Sequence, residues 1–195
     1  SQPMGHRLAV YCGSKMGINP MYEHAARQLG QGMAKRSYDL VYGAANSGLM
    51  GVIADAVLAE GGEVIGVIPE LLMDSEIAHP GLTQLDRVAS MHGRKQRMLD
   101  LADGVIALPG GFGTLDEFFE AITLIQTHKI ERFPVILYGS EFWSGCIEWI
   151  KNIVCKKFNN VSEEEMFLFE VVDSKNEIIE ILKKFYDKKK FSPNF

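Results

Sequence analysis

No stretch of this 195-residue chain approaches the roughly 18 consecutive apolar residues that a membrane-spanning helix needs, so no span and no membrane partner are expected. The N-terminus lacks a basic region followed by an apolar core, which argues against a secretory leader. Cysteine is scarce. Cys12, Cys146 and Cys155 are odd in number and show no CxxC spacing, the pattern of reduced thiols in the cytoplasm. Basic charge is also short: a net charge of −5 leaves no electrostatic reason to expect a nucleic-acid partner. The one lysine cluster, Lys183, Lys184 and Lys188 to Lys190, reads as the solvated face of a terminal helix.

Several chemical signatures are missing as well. His6, His24, His79, His92 and His128 are scattered, there is no HExxH, and no metal site is expected. The Walker pattern GxxxxGK[ST] and the GxSxG elbow are absent, and no acidic residue is clearly placed about 20 positions beyond a dinucleotide fingerprint. The chain therefore predicts no cofactor. Nothing repeats internally and no linker divides the sequence, so residues 1–195 read as one domain.

What is present is a regular alternation of short β-branched runs with longer amphipathic ones. Strands are predicted near 8–12, 40–42, 64–68, 84–89, 105–108, 135–138 and 167–172. Helices are predicted near 20–35, 49–59, 91–101, 114–126, 141–157 and 176–186. Strands that are apolar on both faces and separated by helices call for an α/β fold, a Rossmann-like three-layer sandwich with a central parallel sheet of about seven strands.

Three of these strands run into glycine clusters: Cys12-Gly13-Ser14, Gly43-Ala44-Ala45-Asn46-Ser47-Gly48, and Pro109-Gly110-Gly111-Phe112-Gly113-Thr114. Parallel strands bring their carboxyl ends to one edge, where open α/β sheets bind ligands. A glycine turn entering a helix N-terminus offers free N–H groups to a phosphate. Within the helix at 91–101, Met91, Arg94, Lys95 and Met98 share one face. Its two cations either reach an anion in a cleft or snorkel to solvent, and helix geometry alone leaves both open. His92 is off this face. Thr114-Leu115-Asp116-Glu117 fits a capping box, with Thr114 as N-cap and Glu117 at N3. Yet Ala121 and Leu124 follow Glu117 one and two turns on, so its face is not clearly solvated, whereas Asp116 and Glu120 look more exposed. Phe118, Phe119, Ile122 and Ile125 form a stripe suited to the core or to a dimer interface.

AVYCGS (9–14), GLMG (48–51), GVIP (66–69), MHGRK (91–95) and LPGGFGTLDE (108–117) together resemble the LOG family, the cytokinin riboside 5′-monophosphate phosphoribohydrolases. The paired MHxRK and PGGxGTxxE motifs are specific to it. The resemblance implies hydrolysis of the N-glycosidic bond of an adenosine 5′-monophosphate, often N6-prenylated, to free base and ribose 5-phosphate, in a metal-free homodimer. By matching position it makes Arg94 and Glu117 the catalytic residues. The cations then either anchor the phosphate or support that carboxylate, and a salt bridge from Arg94 would keep Glu117 ionised. Ser14, Glu76, Met91, Lys95, Gly110, Gly111, Gly113 and Thr114 are the implied substrate contacts. The family is often labelled lysine decarboxylase, but the chain offers no recognisable cofactor lysine in pyridoxal-phosphate surroundings.

Two departures stand out. The family's YGGGxxGLMG reads Tyr42-Gly43-Ala44-Ala45-Asn46-Ser47-Gly48-Leu49-Met50-Gly51, whose two added methyl groups are expected to narrow the nucleotide loop. Ser90 stands where an Asp commonly precedes MH. The rival to a hydrolase is a nucleotide-binding or carrier module on the same fold; the presence of both Arg94 and Glu117 favours the hydrolase.

Overall fold

The computed structural model of the protein describes residues 6–13, 15, 19–74 and 77–191. Among these, seven strands alternate with six helices: β1 (Arg7–Tyr11), α1 (Pro20–Lys35), β2 (Asp39–Tyr42), α2 (Gly48–Ala59), β3 (Val64–Pro69), β4 (Gln84–Val88), α3 (Met91–Leu101), β5 (Gly104–Ala107), α4 (Phe112–Gln126), β6 (Val135–Tyr138), α5 (Ser140–Trp149), β7 (Glu170–Val172) and α6 (Lys175–Phe191). Every pairing is parallel, in the order β4-β3-β2-β1-β5-β6-β7. The expected α/β three-layer class is the observed one.

The two-residue period of the strands divides the core. Leu8 and Val10 of β1 point to one side, with Leu29 of α1, Ile53 of α2 and Leu182 of α6. Ala9 and Tyr11 point to the other, with Met98 of α3, Phe118 of α4 and Trp143 of α5. Each fully buried large apolar side chain contributes about 1.5–3 kcal/mol. Phe118 adds edge-on ring contacts at 5.5 Å to both Trp143 and Phe169. The Phe118–Ile125 stripe therefore splits: Phe118 and Ile125 are core, while Phe119 is 42% exposed.

Two elements change type within their expected extents. The seventh strand was expected from 167 but begins at Glu170, because Glu164–Phe167 closes as a 3₁₀ turn. That turn is capped reciprocally: Ser162 N–H donates to Glu165 Oε1 at 2.8 Å and Glu165 N–H donates to Ser162 Oγ at 3.1 Å. The helix expected over 141–157 is α-helical only to Trp149 and continues as π-helix over Ile150–Lys157.

The chain order departs from β1 toward β2 on one side and toward β5 on the other, so the topological switch point lies between β1 and β5. A crevice opens at the carboxyl ends of strands that diverge in this way.

Candidate functional site

A cleft of about 800 Å³ lies at this switch point, within the range usual for small-molecule sites. Its floor is the end of β1 (Tyr11, Cys12, Gly13) and the loop after β5 (Pro109, Gly110, Gly111). One wall is the shared face of α3, with Met91, Arg94, Lys95 and Met98 all lining it. As to the two readings left open for the cations, both side chains line the cleft, where Lys95 reaches acids and Arg94 a backbone carbonyl. His92 is exposed, as its position off this face predicts. Ser90, the other departure from the motif, is the N-cap of α3, its Oγ accepting from Gly93 N–H at 3.0 Å.

The floor is tight. A Cβ on Gly110 would run into the Thr114 side chain and lie 3.1 Å from Gly13 N, so the two loops meet at a distance only glycine allows. Gly111 and Gly113 differ: a Cβ on either meets nothing within 4 Å. Both face open space at the head of α4.

The capping-box reading of Thr114 and Glu117 does not hold. Gly111, with φ −98° and ψ −154°, is the N-cap, and it makes no side-chain cap bond. The helix thus starts at Phe112, two residues earlier than expected, and Thr114 sits in its first turn, 3% exposed. The first N–H groups of α4 are left without a capping side chain. With this early start Glu117 lies beyond the first turn, out of the cap position, and it lines the cleft.

Burial dominates the Glu117 carboxyl, whose pKa is pushed from 4.5 up to about 7. Arg94 opposes this, Asp116 reinforces it, Lys95 opposes it and Glu120 reinforces it, in that order of size. The expected Arg94–Glu117 salt bridge is not formed: among the described residues no ion pair joins them, and Arg94 Nη2 instead donates to Gly43 O at 2.7 Å. Arg94 lowers the pKa only across the cleft, and burial wins. The Cys12 thiol, beside the same carboxyl, is pushed up to about 12 by burial first and Glu117 second, which makes it a poor nucleophile.

Lys95 Nζ bridges Asp116 at 2.9 Å and Glu120 at 2.7 Å, tying α3 to α4. Glu120 is consequently less exposed than expected, 28% against 60% for Asp116. Ala44 and Ala45 do not narrow the cleft. They are 0% and 7% exposed, and neither lines it. The Ala44 methyl turns toward Gly66 of β3, whose missing side chain makes room for it. Ser14 and Glu76 lie outside the described residues.

Motif reading missed the aromatic part of the wall. Tyr22, Asn19 and Phe142 line the cleft; Asn19 caps α1, its Oδ1 accepting from Met21 N–H at 2.9 Å. Tyr22 and Phe142 each sit in the first turn of the helix that follows a strand of this edge. First-turn residues after β1 and β6 were the available signal.

A doubly wound parallel sheet, a glycine floor at its switch point and a half-buried acid define an α/β protein of the Rossmann-like class with an open cleft at the carboxyl edge of its sheet. The model of a family described as "Possible lysine decarboxylase" matches residues 50–182. A protein of Arabidopsis thaliana named cytokinin riboside 5′-monophosphate phosphoribohydrolase LOG7 is 43% identical over 153 residues, 78% of this chain and 70% of that one. The Rhodococcoides fascians cytokinin riboside 5′-monophosphate phosphoribohydrolase is 39% identical over 159 residues, 81% and 80% of the two chains. This chain belongs to that family, the LOG family. Among solved structures, the molybdenum cofactor binding protein of Rippkaea orientalis superposes with a TM-score of 0.71 at 20% identity, covering 95% of this chain and 99% of that one. The molybdenum cofactor carrier protein of Chlamydomonas reinhardtii gives 0.69 at 17%, covering 94% and 99%. At that identity they establish the shared fold alone.

Proposed function

We propose that this protein is a phosphoribohydrolase that cleaves the N-glycosidic bond of an adenosine 5′-monophosphate, plain or N6-modified, to free base and ribose 5-phosphate. The observation that carries this reading is the half-buried Glu117 carboxyl, its pKa raised to about 7, in the same cleft as Arg94 and the uncapped head of α4. The phosphate lies against Gly111, Gly113 and the first turn of α4, where free N–H groups and the helix dipole favour an anion. The base lies against the apolar wall that includes Met91, Met98, Tyr22 and Phe142.

As the C1′–N9 bond breaks, its electron pair leaves with the base and positive charge builds on the ribose. The Glu117 carboxylate stabilises that charge and takes the proton from the water that adds to C1′; the departing base takes up a proton from solvent, and Glu117 returns its own to solvent, which restores the carboxylate. A base working at neutral pH is most effective with a pKa near 7. Arg94 opposes the burial of this carboxylate and so preserves a reactive ionised fraction. Among the described residues, the other acid that lines the cleft, Asp116, is paired with Lys95, so the two-carboxylate glycosidase scheme is not carried over intact.

A homodimer fits the exposed apolar side chains on α3 and α4, where Phe112 is 91%, Met91 43% and Phe119 42% exposed. The cysteines are free thiols, which suits the cytoplasm, and no described helix is long and apolar enough to cross a membrane.

The test is release of free base from AMP and from N6-isopentenyl-AMP by the purified, chelator-treated protein. The expected result is metal-independent release that rises with pH through about 7, as Glu117 ionises, and that falls about 10²–10⁴-fold in Glu117→Gln. The ratio of the two rates identifies the preferred base. Tight AMP binding without release would refute the hydrolase and point to the carrier module.

A further inference from the structure

His79 lies outside the cleft, yet it is 8% exposed and both of its ring nitrogens are engaged. Nδ1 accepts from Gly81 N–H at 3.0 Å. The ring proton is therefore on Nε2, which donates to Asp55 of α2. The ring thus clips the segment that follows β3 onto α2.

That segment in turn holds the loop after β2. His79 N–H donates to Ala44 O at 2.9 Å and Asn46 N–H donates to Ile77 O at 3.1 Å, an antiparallel bridge pairing Ala45 with Ala78. The Tyr42 hydroxyl donates to Ala45 O at 2.9 Å from beneath. Between these bonds Ala44 is held at φ +71°, the left-handed region, which costs a residue with a Cβ about 1–2 kcal/mol. Rotation about the Ala44 N–Cα bond moves the peptide plane that carries the Gly43 carbonyl. That carbonyl is the hydrogen-bond acceptor for Arg94 Nη2. Relaxing Ala44 to an ordinary negative φ would swing the carbonyl away and release the guanidinium.

We propose that His79 and Asp55 are positioning residues for the reaction: their hydrogen bond holds the strained Ala44 turn, whose Gly43 carbonyl aims Arg94 into the cleft. Neither touches the substrate. The inference rests on the hydrolase reading for its rate effect but not for its structural one, and this makes the two separable.

Asp55 is 69% exposed, so Asp55→Ala removes the clip without opening the core. The experiment compares wild type, Asp55→Ala and Asp55→Asn, the last of which still presents an oxygen to Nε2–H. Base release from AMP and hydrogen exchange at the Asn46 and His79 amides are measured in each. The expected result in Asp55→Ala is a kcat roughly 10-fold lower with little change in KM, together with faster exchange at both amides. Asp55→Asn restores both readouts. A wild-type rate in Asp55→Ala, or unchanged exchange at the two amides, would overturn the proposal, as would an Asp55→Asn protein as slow as Asp55→Ala. A wild-type protein that releases no base refutes the hydrolase reading instead, and the exchange comparison then still decides whether the clip exists.

Discussion

The glycine-rich loops after β2 and after β5 lie at the same edge of the sheet, and both lead into a helix, but they do opposite work. The first, 43–47, is folded into the protein: Ala44 and Ala45 are buried, and the bonds of its central residues go to Tyr42 and to residues 77–79. It gives the cleft one carbonyl, and that carbonyl is taken by Arg94. The second, 109–113, is open. Its Gly111 and Gly113 face empty space, and it launches an uncapped helix. A glycine turn is a ligand cradle when what opposes the missing side chain is solvent, and a packing device when it is protein.

Gly43→Ala tests the first half of this contrast and has the larger expected effect of the two loop substitutions. The new methyl collides with Arg94 Nη2, the far end of a flexible side chain that can move aside. Stability should stay near wild type in thermal unfolding while base release falls about 100-fold, the usual consequence of a misplaced reacting group. A stable, fully active variant would break the link between this loop and Arg94.

The helix launched by the open loop brings a cost with it, because α4 buries an acid that is more easily ionised in the unfolded chain. The folded state binds the Glu117 proton more tightly, so between pH 4.5 and about 7 stability falls as pH rises, and above 7 the full penalty is present. Glu117→Gln should therefore gain stability over wild type across that window, reaching about 3 kcal/mol by pH 8. Denaturant unfolding at pH 5 and pH 8 measures this; an equal difference at both would show that the carboxyl is not destabilised by burial.

Gly111→Ala has the smallest effect on the protein and the most selective one on ligand. Nothing in the chain opposes a Cβ there, so unfolding should change by no more than about 0.5 kcal/mol. A phosphate seated on the loop would be displaced, and the KM for AMP should rise about 10-fold, the loss of one charge-assisted hydrogen bond. An unchanged KM would place the phosphate elsewhere.

Local pattern carried much of the architecture. Pro20–Lys35 and Met91–Leu101 occur as expected, since the first has an Asn cap, a proline start and an apolar stripe, and the second a Ser cap and a four-residue face. Where pattern failed, the missing information was spatial. Ser/Thr-x-x-Glu is a true cap at Ser162–Glu165 and again at Ser174–Glu177, where Glu177 N–H donates to Ser174 Oγ at 3.2 Å. It is not one at Thr114–Glu117, because extended Gly111 lets the helix begin before Thr114. Spacing cannot reveal that difference. It likewise placed Arg94 and Lys95 side by side without showing that one reaches a carbonyl on β2's loop and the other two acids on α4.

The sequence by itself determined the alternation of strands and helices, the shared edge of the glycine loops and the common face of Met91, Arg94, Lys95 and Met98, because each follows from a two-residue or 3.6-residue period. Only the tertiary structure decided which glycine loop stays open, that Arg94 is aimed by a backbone carbonyl rather than by Glu117, and that the Glu117 carboxyl titrates near neutrality. Those outcomes depend on what packs against a group from elsewhere in the fold, since burial and distance set both steric room and the energy of a charge.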